Sequence, residues 1–271
     1  MLAPVAEWLT DARVAVLSGA GISTASGIPD YRDSNGVRRG RAPMMFQEFV
    51  SAISARKRYW ARSMRGWPTV AAANPNAAHR SLADLQAHGK LAGVITQNVD
   101  GLHSAAGSPD VVDLHGNLHR VRCLDCAGTF SRADIQTRLE AQNPDLRDIE
   151  VVLAPDGDAQ VAAEFLEGFV LPLCPRCSGE RLKPDVVFFG ENVAANDATA
   201  AMARVQAADA LLVVGSSLMA FSAFRLCQAA HRAGKPIFAI NHGKTRADEL
   251  IALKIDIPCE RALPLLCNLV T

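Results

Sequence analysis

The sequence predicts an α/β protein, a doubly wound parallel sheet carrying a small inserted metal-binding lobe, and three observations lead there. Apolar runs of strand length alternate with helix-length amphipathic segments along most of the 271 residues, the pattern of parallel β/α units. The first such run, Val14 to Leu17, passes directly into the glycine turn Gly19-Ala20-Gly21. Two C-x-x-C pairs, Cys123/Cys126 and Cys174/Cys177, interrupt the alternation in mid-chain.

Hydrophobic residues make up 49% of the chain, ample for a sizeable core. Lys plus Arg equal Asp plus Glu at 28 each, so the formal net charge is +0 and no global field recruits nucleic acid or an anionic membrane. Neither is expected as a partner. No apolar stretch reaches the roughly 20 residues of a membrane span. The start, Met1-Leu2-Ala3-Pro4 with Glu7 and Asp11 behind it, lacks secretory and basic transit patterns, and a cytoplasmic protein is expected. Cys227, Cys259 and Cys267 sit among apolar neighbours and read as buried thiols.

Taken in order, Val14 to Leu17 reads as a buried parallel strand. Gly19 and Gly21 let the backbone turn tightly and approach a diphosphate, whose charge would fall on amides opening the next helix. The dinucleotide fingerprint is incomplete: its third glycine falls at Thr24, and no strand ending in a ribose-binding acid follows about 20 residues later. An ordinary dehydrogenase is disfavoured. Ile28-Pro29-Asp30-Tyr31-Arg32 follows instead, then a polar, basic loop over 34–41 that either orders on a ligand or stays solvated. Residues 46–64 read as one or two amphipathic helices ending at Gly66 and Pro68. A helix over 77–88, with Leu82 and Leu85 inward and Gly89 as its stop, leads to a buried strand over 91–96. At that strand's end Thr96-Gln97-Asn98-Val99-Asp100-Gly101-Leu102-His103 gathers polar side chains where open α/β sheets bind ligands. A short strand over 111–114 ends in His115-Gly116, a position that suits a general base and equally a structural histidine.

The cysteine pairs are 47 residues apart, and four thiolates close a tetrahedral zinc site with no open position, which makes the ion structural. It would hold together a lobe too small to have its own core. A redox role would need one such motif at a strand-helix junction, and two argue against it. Residues 131–141 read as a helix and 143–160, with Pro144, Pro155 and Asp156-Gly157-Asp158, as a surface excursion. Leu182 to Glu191 is a strand with a glycine exit, 197–207 a helix, and 210–214 an apolar strand ending in Gly215-Ser216-Ser217, a second turn able to receive ribose or phosphate. A helix over 222–233, a strand over 236–240 ending at Asn241, a helix over 246–253 and a last helix from Arg261 complete the alternation.

The ordered set Gly19-Ala20-Gly21-Ile22-Ser23, Gly27-Ile28-Pro29-Asp30-Tyr31-Arg32, Thr96-Gln97-Asn98-Val99-Asp100, Leu114-His115-Gly116, the four paired cysteines, Val187-Phe188-Phe189-Gly190-Glu191, Gly215-Ser216-Ser217 and Asn241 resembles the sirtuins, NAD-dependent protein lysine deacylases, over nearly the whole chain. Arg58-Tyr59-Trp60-Ala61-Arg62, Leu153-Ala154-Pro155-Asp156-Gly157-Asp158 and Lys183 to Gly190 further resemble the class II branch, which includes the mitochondrial sirtuin-four type. The resemblance implies a Rossmann-like NAD-binding domain over 1–118 and 184–271, a helical module about 42–72 within it, and a zinc domain over 119–183.

It also implies roles. Gly19, Ala20 and Gly21 would cradle the diphosphate, and Asp30, Tyr31 and Arg32 would form the loop over the nicotinamide ribose. Gln97, Asn98 and Asp100 would hold that ribose and the carboxamide, with Asn98, Asp100 and the base His115 as the catalytic set. Gly215, Ser216, Ser217 and Asn241 would hold the adenosine half, and Cys259 lies near the adenine unless it is only a buried thiol. Val187, Phe188, Phe189 and Gly190 would pair with an acyl-lysine peptide as an added strand. Cys123, Cys126, Cys174 and Cys177 would bind zinc. NAD would be consumed, giving free lysine, nicotinamide and O-acyl-ADP-ribose. Tyr59 and Arg62 have the types and spacing with which class III sirtuins hold acidic acyl chains, though an arginine on such a helix also reaches solvent readily. Two rivals keep the cofactor: a protein mono-ADP-ribosyltransferase and a zinc-stabilised NAD-binding module without turnover.

Overall fold

The computed structural model describes residues 2–38, 43–146 and 164–271. Helix α1 (Ala3–Asp11) starts with Pro4 in its first turn, where a missing amide costs nothing. Strand β1 (Val14–Ser18) is buried throughout. Helices α2 (Phe46–Ser51), α3 (Ile53–Ala72) and α4 (Ala77–Ala87) follow, the last capped by Asn76, whose side chain accepts from the Ala78 amide at 2.9 Å. Then come β2 (Leu91–Thr96), the short α5 (Leu102–Ala105), β3 (Val112–Asp113), β4 (Gly116–Cys123), β5 (Thr129–Ser131), α6 (Arg132–Gln142) and the short α7 (Glu164–Glu167). The chain ends through β6 (Leu182–Val186), α8 (Ala195–Ala207), β7 (Ala210–Val214), α9 (Phe221–Arg232), β8 (Ile237–Ile240), β9 (Leu253–Ile255) and α10 (Cys259–Val270). Among the described residues no helix is long and apolar enough to cross a membrane.

Two compact units emerge. The first comprises Met1–Arg39, Ala73–His115 and Val193–Thr271. Its six parallel strands lie in the order β3-β2-β1-β7-β8-β9, with Ser18 beside both Thr96 and Val214. Alternation along β1 explains the layers. Val14 and Val16 face a core with Leu9 of α1, Leu82 and Leu85 of α4, and Leu263 and Leu266 of α10. Ala15 and Leu17 face the opposite core with Val205 of α8 and Leu226 and Ala230 of α9. This is the expected doubly wound sheet. The chain builds outward from β1 in one direction and from β7 in the other, so the order reverses between them.

The second unit comprises Gly40–Ala72 and Gly116–Asn192. An antiparallel sheet β5-β4-β6 packs with α3 and α6 around Phe49, Trp60, Met64, Val121, Ile135, Leu139, Phe169 and Leu182. Here the expectations need correction. The helical module groups with the cysteine lobe, not the Rossmann-like domain, because Trp60 is fully buried there and its indole N–H donates to the Leu182 carbonyl at 3.0 Å. The lobe therefore has a core of its own. Strand β6 likewise belongs to this unit, since Cys123 pairs with Leu182.

Three local expectations also differ. Helix α3 runs on through Gly66 and Pro68 to Ala72. Pro68 cannot serve the carbonyl four residues back, but Met64 O accepts from Gln136 Nε2 at 2.8 Å, so the helix tolerates the proline. The helix expected over 246–253 is a single 3-10 turn, Asp248–Leu250, followed by edge strand β9. Asp248 accepts from the Thr245 amide and hydroxyl at 3.1 and 2.7 Å, a local turn that competes with helix. The last helix begins at Cys259 rather than Arg261. The Leu153 to Asp158 segment and residues 39–41 of the basic loop lie outside the described residues.

Candidate active site and metal centre

The reversal between β1 and β7 is where an open parallel sheet receives ligands, beyond the carboxyl ends of its strands. Two turns meet there. Gly21 N donates to Gly215 O at 2.8 Å, and Gly215 has φ 57°. A Cβ on Gly215 would stand 2.4 Å from Ile22 N, and one on Gly19 would stand 2.7 Å from the Ser216 Cβ. The glycines are thus required first by the packing of one turn on the other. No regular helix opens after Gly19; two 3-10 turns, Ala20–Ile22 and Thr24–Ser26, take its place, so the expected helix-start anion site is corrected to a turn.

Beside them the β2 terminus supplies a closed polar network. Asn98 Nδ2 donates to Gly19 O and to Ser23 Oγ, both at 3.1 Å, and Ser23 Oγ donates to Asp100 Oδ2 at 2.7 Å. Asp100 Oδ1 accepts from the Leu102 amide at 2.9 Å. Both Asn98 and Asp100 are buried, so these bonds fix two polar side chains at the crevice. Beneath them lie two histidines whose rings meet edge to face at 4.9 Å. Burial pushes His79 down to about 4, against the pull of Asp100. Burial and the neighbouring His79 push His103 down to about 3. His103 Nε2 meets Ser18 Oγ at 2.8 Å, and its Nδ1 has no partner among the described residues.

His115 follows β3. Its Nδ1 lies 3.1 Å from the Gln97 carbonyl, which can only accept, so Nδ1 carries the proton and Nε2 presents a lone pair. Nε2 accepts from the Ser222 hydroxyl at 2.7 Å. Burial lowers the His115 pKa, with the Gln97 carbonyl opposing, which keeps the ring neutral at pH 7. Gln97 Nε2 in turn donates to Ser216 Oγ at 2.7 Å and to Ser18 O at 3.1 Å.

The remaining residues of this unit fall out unevenly. Ser217 follows Ser216 in the β7 turn, and its carbonyl accepts from the Arg246 amide. Asn241 directs its Nδ2 to the carbonyls of His242 and Gly243, at 3.1 and 3.2 Å, and so shapes its own turn. Cys259 is buried in the core with Sγ 3.7 Å from Ile240 O, and burial pushes its thiol up to about 12, so the packing favours the buried-thiol alternative. In the loop after Pro29, Arg32 Nη1 donates to Gly36 O at 2.9 Å, Asp33 Oδ1 accepts from the Asn35 and Val37 amides, and the Arg38 guanidinium lies 5.9 Å from the Tyr31 ring centre.

In the second unit the sulfurs of Cys123, Cys126, Cys174 and Cys177 all lie within 4.8 Å of one another, and none is in a disulfide. The Cys123–Cys177 and Cys126–Cys174 separations are both 3.7 Å. Four sulfurs at the zinc bond length of about 2.3 Å stand about 3.8 Å apart on the edges of a tetrahedron, so the cluster fits the ion. Nearby, the segment after β6 is braced. Buried Lys183 pairs with Glu191 at 2.9 Å, Glu191 Oε2 accepts from Phe188 N at 2.8 Å, and Phe189 O accepts from Phe46 N at 2.9 Å. Val187 forms no hydrogen bond among the described residues, and Gly190 has φ 79°. Tyr59 is buried against Phe49 and Phe188, at 5.5 and 5.1 Å between ring centres, and Arg62 is half-buried one turn further along α3.

Sequence reasoning placed His103 in the polar cluster after β2 without a role, and missed Ser222 and His79. His79 had a signal, a polar residue on the buried face of α4; Ser222 had none, because its partner is 107 residues away.

A fold with this strand order, this crevice and a four-cysteine lobe defines a class, and comparison supplies the family. The Sir2 family model matches residues 19–222, and the chain belongs to the Sir2 family, the sirtuins. It is 60% identical over 253 residues to NAD-dependent protein deacetylase 3 of Pseudomonas syringae pv. tomato, covering 93% of this chain and 90% of that one. It is 54% identical over 254 residues to an NAD-dependent protein deacetylase of Xanthomonas campestris pv. campestris, covering 94% and 86%. Among solved structures, a Sir2 complex with a peptide and NAD+ is similar with a TM-score of 0.79 at 30% identity, covering 99% of this chain and 98% of that one. A Sir2 bound to an acetylated peptide gives 0.78 at 28% identity, with the same coverage.

Proposed function

We infer that this protein is an NAD-dependent protein lysine deacylase, which moves the acyl group from a lysine side chain to ADP-ribose and releases nicotinamide. The observation that carries the reading is that bonds from Asn98 to Gly19 and from Gln97 to Ser216 tie the buried Asn98 and Asp100, and His115 through Gln97, to the turns at the β1/β7 reversal. The donor set fits NAD: amide, hydroxyl and carboxylate groups suit ribose and carboxamide, and the crowded glycine turns leave backbone at the crevice for a diphosphate. When bound, NAD supplies a ribose carbon that becomes electrophilic as nicotinamide departs, and a ribose hydroxyl that receives the acyl group.

The chain's own residues do the rest. Asn98 and Asp100, locked by Ser23 and the Leu102 amide, orient the nicotinamide ribose without reorganising. His115 Nε2 takes a proton from the ribose hydroxyl, the tautomer being set by Gln97. Gly19, Ala20 and Gly21 with Asp30, Tyr31 and Arg32 hold the diphosphate and cover the ribose, while Gly215, Ser216, Ser217 and Asn241 take the adenosine half. The acyl-lysine peptide lies along Val187 to Gly190, a mode supported by the unpaired backbone of Val187. Zinc, held by the four cysteines, is structural. Free thiols throughout support a reducing, cytoplasmic setting.

The class II assignment rests on the sequence motifs at 58–62, 153–158 and 183–190. On the same footing, Tyr59 and Arg62 set acyl preference, favouring glutaryl-like or bulky chains over acetyl. A panel of acetyl, glutaryl and lipoyl peptides, with and without NAD, tests both levels. Turnover only with NAD is expected, and Arg62→Met should lower the glutaryl rate relative to acetyl by about tenfold, the scale of one charge-assisted hydrogen bond. An unchanged ranking removes Arg62 from the acyl site; no NAD-dependent turnover removes the function.

A further inference from the structure

The loop between β7 and α9 grips His115 from two sides. Ser216, at its start, accepts from Gln97 Nε2 at 2.7 Å, and the Gln97 carbonyl accepts from His115 Nδ1 at 3.1 Å. Ser222, in the first turn of α9, closes the ring by donating to His115 Nε2 at 2.7 Å. The imidazole is therefore held at both nitrogens. The nitrogen that must accept the ribose proton is the one that already carries a protein hydroxyl.

We propose that Ser222 is a positioning residue for the general base: its hydroxyl holds His115 Nε2 as a lone-pair acceptor until a ribose hydroxyl takes its place. This rests on the reading of His115 as the base. With the neutral ring the Ser222 hydroxyl donates to the Nε2 lone pair, and with the imidazolium it turns to accept from Nε2–H, so the bond fixes where Nε2 points rather than its charge. The polar groups that meet the ring among the described residues are the Gln97 carbonyl, from the β2–α5 loop, and the Ser222 hydroxyl, from α9. In the transfer step His115 Nε2 would take the ribose O–H proton as the ribose oxygen bonds the acyl carbon; the acyl carbon–nitrogen bond would then break, and the proton would leave Nε2 with the lysine amine. Ser222 gives up its bond to Nε2 and takes no part in the proton count.

The test is nitrogen-15 NMR of histidine-labelled protein without NAD, at a pH where the ring is neutral. The wild type should show His115 as the Nδ1–H tautomer with a hydrogen-bonded Nε2. Ser222→Ala should move the Nε2 signal to that of a lone pair without a hydrogen bond, and Ser222→Thr should restore it. Saturating ADP-ribose should erase the difference between wild type and Ser222→Ala. A merely structural serine would leave the Nε2 signal unmoved, and an unmoved signal overturns the proposal. If Ser222→Ala fails to fold, the wild-type tautomer decides, and an Nε2–H ring refutes it. Absence of NAD-dependent deacylation in the wild type would instead sink the functional reading, and leave the NMR result to stand by itself.

Discussion

His115→Ala will lose at least about 100-fold in acyl transfer, the lower end of what a positioned general base contributes. The neutral ring is held between Gln97 O and Ser222 Oγ at 3.1 and 2.7 Å, and alanine leaves no group at that point able to take a proton. Nicotinamide release comes before the base acts. Exchange of labelled nicotinamide into NAD should therefore survive in the variant, and zinc content should be unchanged. The pH dependence has a definite sign. His115 works unprotonated and burial lowers its pKa, so activity should persist as pH falls through the ordinary histidine value of about 6.5 and decline only below it. An unaltered transfer rate in His115→Ala would remove this residue as the base.

Cys123→Ser or Cys174→Ser will release the metal and lower the melting temperature of the second unit. Structural zinc in small domains contributes about 10–16 kcal/mol of apparent binding free energy at pH 7, more than most domains have in reserve. The two knuckles tie β4 to the strand that begins at Leu182: Leu124 N donates to Arg181 O at 2.9 Å, and Cys123 pairs directly with Leu182. Calorimetry of the variants should show a separate, lower transition, and metal analysis should fall from about one zinc per chain to none. The unit also has an apolar core around Trp60 and Phe169, so its helices need not melt fully. A metal-free variant with wild-type melting would overturn the structural role of the site.

What the sequence made legible follows from where the information resides. β1, β2, β7 and β8 announce themselves because strands covered on both faces must be apolar along their whole length. Leu253-Lys254-Ile255 is a short edge strand with a lysine in it, and nothing local separates it from the end of a helix. Pro68 read as a stop because a proline's missing amide is a local fact, whereas its compensation by Gln136 comes from a helix far along the chain. The same division runs through the site. Asn98, Asp100 and His115 stood out as polar residues at strand ends, and the four cysteines by spacing. Gly19 and Gly21 were found for one reason and are required for another, the close approach of Gly215. Ser222 and the His79–His103 pair depend on contacts that only the folded chain creates.

The most direct test of the account is the product balance of the purified protein with NAD and an acetyl-lysine peptide, followed by mass spectrometry. The account predicts equal amounts of nicotinamide, deacylated peptide and O-acetyl-ADP-ribose. Nicotinamide released with ADP-ribose attached to protein, and no O-acetyl-ADP-ribose, would contradict it and establish a mono-ADP-ribosyltransferase instead.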